Sequence, residues 1–193
     1  MKQLSAYKTF IKAAFNNPLQ ISTLFQTSPW LRDKILDALP LESAHRVCEL
    51  GPGAGAITEG LKHRLTSQSV YVGIELNGIL VDYLKTNYPD LNFIEGSAEN
   101  AAQIANQNGA FDIVISSLPW TVFSPDLRES IMTSVSKSLR PGGIFCTYLC
   151  LNAAFYPSAK HLKSLLDKNF SSVTRSDIEW RNIPPAFIYF CKK

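Results

Sequence analysis

The sequence is poor in the residues that usually announce a mechanism. It has three histidines, His45, His63 and His161, and none stands at metal-ligand spacing, so no metal site is expected. Its four cysteines, Cys48, Cys146, Cys150 and Cys191, form no C-x-x-C pair and all fall in apolar stretches that read as strands. Buried free thiols in a reducing compartment follow. No G-x-S-x-G elbow is present to carry a serine nucleophile. No apolar run approaches the ~20 residues of a membrane span, and the N-terminus lacks the unbroken apolar core of a secretory signal. Acid is missing locally: Met1 to Arg32 contains no Asp or Glu but carries Lys2, Lys8, Lys12 and Arg32. The net charge of +3 is modest and no basic stripe is visible, so no nucleic-acid partner is expected.

What remains is ordinary globular material. A chain of 193 residues, 46% hydrophobic and 18% charged, can bury one proper core. Leu4, Tyr7, Ile11 and Phe15 repeat at helical spacing with Lys8 and Lys12 on the other side, which predicts a short basic amphipathic helix. A second helix is expected from Pro29, with Ser28 as its cap and Leu31, Ile35 and Leu39 as its apolar stripe. Residues 1–40 therefore read as an N-terminal helical segment of the same domain, and 41–193 as the domain's body. From "RVCELG" onward strand alternates with helix: "VYVGIEL", "LNFIEG", "FDIVISSL" and "GGIFCTYLCL" read as strands. "SSVTRSDIEW" and "AFIYFCK" close the chain too near one another for a helical crossover, so they must form an antiparallel hairpin. The expectation is an α/β fold: a seven-stranded, mostly parallel sheet with an antiparallel last strand and helices on both faces.

The stretch "VCELGPGAGAITEGL" places Gly51, Gly53 and Gly55 between a strand and a helix. Glu75 ends the next strand about 20 residues on, where an acid can hold ribose hydroxyls. Two residues argue against a dinucleotide. Glu49 would face the pyrophosphate, and Pro52 removes an N–H that phosphate would need. A ligand without phosphate and with an ammonium fits better: Glu49 attracts the ammonium, directly or through water, and the glycines let the backbone pass close beneath.

At these residues the sequence resembles the class I S-adenosylmethionine-dependent methyltransferases. "ELGPGAG" is similar to their first motif and "GIEL" to their second. The resemblance implies a Rossmann-like fold, S-adenosylmethionine as cofactor and S-adenosylhomocysteine as product. It implies cofactor contacts at Glu49, Gly51, Gly53, Gly55, Glu75 and Leu76. "EGSAEN" stands where the family contacts adenine, which adds Ser97 and Ala98; the family commonly has Asp where this chain has Ser97. Ser116 borders the same region.

"SSLPW", Ser116 to Trp120, ends the fourth strand and so faces the transferred methyl. Nucleobase amine methyltransferases often carry Asn or Asp at the position of Ser117, followed by Pro and an aromatic; Pro119 and Trp120 keep that pattern while Ser117 departs from it. The end of the chain, "IEWRNIPPAFIYF", together with "SSLPW", "LRPGGIF" and "ELGPGAGAIT", resembles the bacterial phospholipid N-methyltransferases from about Pro18 onward. One departure is early: that family tends to have Pro-Ser-Ser where this chain reads Gln26-Thr27-Ser28. The resemblance implies methylation of the amine of phosphatidylethanolamine, or of another amino lipid, towards phosphatidylcholine. It implies a cytoplasmic enzyme, peripheral on the inner face of the membrane. Tyr148, Ser117 and Trp120 are the expected catalytic residues. Trp120, Tyr148, Trp180, Arg181 and Asn182 are expected at the substrate, with Arg181 on a lipid phosphate and the aromatic rings on the methylated ammonium. Trp180 reads equally well as core. The N-terminal helix reads either as an anchor on an anionic membrane surface or as a helix packed over the cofactor. A soluble small amine, or an RNA adenine, is the alternative substrate.

Overall fold

The structure is a computed structural model and describes residues 27–193. The basic amphipathic helix read over Leu4–Phe15 lies outside the described residues. From Thr27 on, the order is α1 (Pro29–Asp37), β1 (Arg46–Leu50), α2 (Ala56–Lys62), β2 (Val70–Glu75), α3 (Gly78–Asn87) and β3 (Asn92–Glu95). There follow α4 (Ala101–Asn108), β4 (Phe111–Ser116), α5 (Pro125–Ser138), β5 (Leu139–Cys150), α6 (Pro157–Asn169), β6 (Ser172–Arg175) and β7 (Ala186–Lys192). The seven strands form one sheet in the order β3-β2-β1-β4-β5-β7-β6. β1 to β5 pair in parallel, and β7 runs antiparallel to both of its neighbours.

Central strands explain the layering. Val47, Cys48 and Leu50 of β1, and Ile113, Val114 and Ile115 of β4, are all buried, as a parallel sheet covered on both faces requires. One face packs on α1, α2 and α3 through Leu31, Ile35, Ile57, Leu61, Val81 and Leu84. The other packs on α4, α5 and α6 through Ala101, Ile104, Met132, Val135, Leu162 and Leu166. α1 starts as its sequence dictates: the Ser28 hydroxyl accepts from the Leu31 N–H at 3.2 Å and Pro29 takes the first turn.

Two elements differ from the sequence reading. α4 carries no long apolar stripe, because it buries Ala101 and Ala105 beside Ile104, and small side chains leave little periodicity to detect. β6 ends at Arg175 rather than at Trp180. The ladder is interrupted at Ser176, whose hydroxyl accepts from the Ile188 N–H at 3.0 Å. It resumes only at Glu179, which bridges to Ala186. Trp180 to Pro185 are therefore the loop of a hairpin, at the carboxyl end of the sheet.

Candidate cofactor and substrate cavity

A cavity of about 830 Å³ opens at the carboxyl ends of the strands. It is lined by the segments that leave β1, β2, β3, β4 and β5, by the start of α1 and by Pro184. This is the crevice in which open α/β sheets bind ligands, and its size suits a cofactor with part of a substrate.

Its floor is the glycine loop. Gly51, Gly53 and Gly55 all have positive φ, 69°, 60° and 88°, a region L side chains rarely enter. Space adds a second restriction at two of them. A Cβ on Gly51 would lie 2.9 Å from the Leu118 side chain, and one on Gly55 would lie 2.8 Å from the Tyr88 ring. All three glycine N–H groups are spent inside the protein. Gly51 donates to the Ile74 carbonyl at 2.9 Å, Gly53 to Glu75 Oε2 at 3.0 Å, and Gly55 to the Pro52 carbonyl at 2.9 Å. Pro52 has none to give. None of these three N–H groups is left for an anion, which weighs against a pyrophosphate here.

Beneath the loop sits Glu49, fully buried and not itself on the cavity lining. Its Oε2 accepts from Tyr71 at 2.7 Å and Thr58 at 2.8 Å. Oε1 has no partner. Burial pushes the carboxyl up to about 7; Tyr71 and Thr58 pull it back, and the Glu75 charge adds to the rise. A buried carboxylate oxygen with a vacant acceptor position fits a nearby cation. Glu75 lines the cavity, and its two oxygens accept from the Gly53 and Asn77 N–H groups, each at 3.0 Å. Burial raises its pKa, and the backbone N–H groups of Asn77, Gly53 and Leu76 oppose that rise. Leu76, Ser97 and Ala98 line the same end. The Ser97 hydroxyl is engaged as a cap, accepting from the Glu99 N–H and donating to the Glu99 carboxylate.

At the other end stand Ser117 and Tyr148. Tyr148 lines the cavity, and its hydroxyl meets that of Thr27 at 3.0 Å. Burial raises its phenol, while hydrogen bonds from Thr27 and Ser117 oppose the shift. The net upward direction makes the Tyr148 phenol a poorer proton acceptor than a free tyrosine.

Besides Glu49, which lies beneath the loop and off the lining, five residues differ from their expected places. Ser116 is buried below the rim, its hydroxyl accepting from the Leu118 N–H at 3.3 Å; Ser117, not Ser116, reaches the cavity. Trp120 borders the cavity yet is only 1% exposed. Its indole N–H donates to Thr147 at 2.9 Å and its ring meets Phe123 and Phe145 edge-on, so it holds the wall rather than offering an open face. Trp180, Arg181 and Asn182 reach the expected rim but are not on the lining. Trp180 is 67% exposed, which removes the core reading as well. Arg181 is held by Glu179 in a two-pronged pair at 2.8 and 3.1 Å, and this pair, first of all causes, brings the Glu179 carboxyl down to about 2. Asn182 is structural: its amide oxygen accepts from the Ser28 N–H and its amide donates to the Pro184 carbonyl.

Sequence reasoning missed other lining residues. Asn77 caps α3 through its oxygen, while its buried Nδ2 has no partner. An Asn two residues after the acidic strand end was a readable signal. Tyr88, Thr27 and Tyr156 reach the cavity only through tertiary packing and leave no local signature. Behind Trp120 lies Arg128, buried, donating to the Trp120 carbonyl at 3.5 Å. Among the described residues no group of His, Cys, Asp and Glu could hold a metal, and no helix is long and apolar enough to cross a membrane.

Comparison with known proteins agrees with this geometry. A methyltransferase domain model matches residues 47–143. An ornithine lipid N-methyltransferase of Singulisphaera acidiphila is 28% identical over 95% of this chain and 94% of its own. A ribosomal RNA small subunit methyltransferase A of Prochlorococcus marinus is 31% identical, over 53% of this chain and 39% of that one. Among solved structures, an O-methyltransferase from Bacillus cereus in complex with S-adenosylhomocysteine superposes with a TM-score of 0.70 at 16% identity, covering 99% of this chain and 90% of that one. One from Streptomyces achromogenes, in complex with S-adenosylmethionine, gives 0.71 at 18% identity, covering 88% and 82%. These structural likenesses speak for the fold, and the domain match supplies the family. The chain belongs to the methyltransferase domain family and is a class I S-adenosylmethionine-dependent methyltransferase.

Proposed function

We propose that the chain methylates the headgroup amine of an amino lipid, either an ornithine lipid or phosphatidylethanolamine, at the inner face of a membrane. The end-to-end match to the ornithine lipid enzyme carries this reading. The match to the ribosomal RNA enzyme spans only about half of this chain. The cavity agrees in kind. Beyond the cofactor loops, Val122, Phe123, Ile131, Leu149 and Ala153 give it an apolar wall, and the Trp120 ring is turned into the core, where it cannot stack on a base.

Glu49, the glycine loop, Glu75, Leu76, Asn77 and Ala98 hold the cofactor in this reading. Glu49 Oε1 and Asn77 Nδ2 supply the vacant polar positions. When bound, the cofactor supplies an electrophilic methyl on a sulfonium. The protein's own part is positioning and desolvation, which can provide most of the acceleration. Ser117 and Tyr148 offer hydroxyl oxygens to an incoming amine at the substrate end. That amine must be neutral to react, and an alkylammonium has a pKa near ~10. The proton leaves to solvent in this reading, and the rate should rise with pH well past neutrality.

The test is methyl transfer from labelled S-adenosylmethionine to vesicles containing ornithine lipid, phosphatidylethanolamine or neither, with ethanolamine and a short RNA as soluble alternatives. Label in an amino lipid is the expected result. Label only in ethanolamine or in RNA would overturn the reading.

A further inference from the structure

Among the described residues, the large apolar side chains left exposed are gathered rather than scattered. Apart from Val70, Ile79 and Tyr83, they form two strips beside the cavity. One strip is Trp30, Trp180 and Ile183, the last 88% exposed. It belongs to the first turn of α1 and to the β6–β7 loop. The two segments are tied together: the Arg181 guanidinium lies 5.6 Å from the centre of the Trp30 ring, and Asn182 accepts from the Ser28 N–H at 2.9 Å. Their chain neighbours Pro29 and Pro184 line the cavity. The other strip is Val122, Phe155 and Tyr156, from the segments after β4 and β5, with Phe155 78% exposed. Val122 and Tyr156 line the cavity themselves.

Single exposed apolar residues need no explanation, but strips gathered at one opening mark an interaction surface. Trp and Tyr combine an apolar body with a polar edge and favour the membrane–water interface. Charge supports the same partner. Arg181, the cation within the first strip, is neutralised by Glu179, which lowers the cost of bringing it against a medium of low dielectric. Thr27, the first described residue, lines the cavity. The residues before it carry Lys2, Lys8 and Lys12 with no acid, a composition suited to an anionic lipid surface.

We propose that these two strips are lips that seat the cavity mouth on a lipid bilayer. A headgroup then enters between them while its acyl chains remain in the bilayer. The inference rests on the amino-lipid reading for what enters the cavity, but the docking itself can be measured apart from it.

Tryptophan emission reads the docking in the full-length protein. The chain has three Trp residues, and Trp120 is buried in the core. Vesicles of phosphatidylethanolamine and phosphatidylglycerol with acyl chains brominated near the headgroup should quench Trp30 and Trp180 and shift their emission to the blue. Ile183→Asp and Phe155→Asp, at the two most exposed positions, should each weaken vesicle binding at least tenfold. Affinity for S-adenosylhomocysteine should stay within twofold. Emission already blue and indifferent to vesicles would mean that residues 1–26 cover the lips, and would overturn the proposal. Vesicle binding unchanged in both variants would overturn it as well, by placing all anchorage in that N-terminal segment. Methyl transfer measured on the same vesicles separates the two claims. Quenching without lipid methylation leaves the docking standing and removes the amino-lipid reading; lipid methylation without quenching does the reverse.

Discussion

The two ends of the cavity are built in different ways. The cofactor end is made by short-range rules. Its glycine loop, Glu75 and the Asn77 cap lie at or just after strand ends, and each is held by a neighbour in the same or an adjacent strand-to-helix turn. The substrate end is made by distant partners. Thr27 meets Tyr148 across 121 residues of chain, and Ser28 meets Asn182 across 154. The cofactor end therefore behaves as a fixed seat, specified by its motif. The substrate end can change its wall by substitution in any of several loops and leave the seat intact, which is how one fold comes to serve many acceptors.

The sharpest way to break the cofactor end is Glu75→Ala. It removes the acceptor for two backbone N–H groups as well as the carboxylate facing the cavity, and should lower affinity for S-adenosylhomocysteine at least a hundredfold by calorimetry. Unchanged affinity would remove Glu75 from the cofactor site. Next is Trp120→Phe. With the indole N–H gone, the buried Thr147 hydroxyl loses its donor and a small void opens. A loss of about 1–3 kcal/mol in urea unfolding is expected, with cofactor affinity nearly unchanged. A large fall in lipid turnover without loss of stability would return Trp120 to a direct role at the substrate.

Glu49 makes a smaller effect with a definite sign. Its folded pKa is raised from 4.5 to about 7, so the folded, ligand-free protein holds this proton more tightly than the unfolded chain does. That contribution to stability is complete below pH 4.5 and is lost as pH rises to about 7. A cationic group bound beside Glu49 selects the ionised form, so cofactor affinity should instead climb as pH rises towards 7 and then level off. Glu49→Gln should flatten both trends between pH 5.5 and 8. A cofactor affinity equally pH-dependent in the variant would assign the trend elsewhere. Smallest of all is Arg181→Ala. Its guanidinium is committed to Glu179 and turned off the cavity lining, so turnover should stay within twofold; a tenfold rise in KM for lipid would restore it to the substrate site.

The same contrast decides what could be read from the sequence. The parallel sheet, the closing hairpin, the cap at Ser28 and the glycine loop were legible because each is a local pattern: apolar runs, a short connection, a Ser-Pro start, glycines between strand and helix. α4 was not, since Ala101 and Ala105 pack closely without an apolar stripe. The fates of Trp120, Trp180, Arg181 and Asn182 were not either. "SSLPW" brings Trp120 to the right loop, but whether the indole faces the cavity or Thr147 depends on β5. "EWRN" brings three polar and aromatic residues to the right rim, but Glu179 and Ser28 claim two of them. Sequence spacing locates a residue at an edge; the competing hydrogen-bond partners there decide its direction.

The most direct test of the account is lipid mass spectrometry of a bacterial host rich in phosphatidylethanolamine, supplied with ornithine lipid and lacking choline lipids, expressing this chain or its Glu75→Ala variant. The account predicts headgroups heavier by one, two or three methyl groups with the intact chain alone. An unaltered lipid profile from folded, cofactor-binding protein would contradict it.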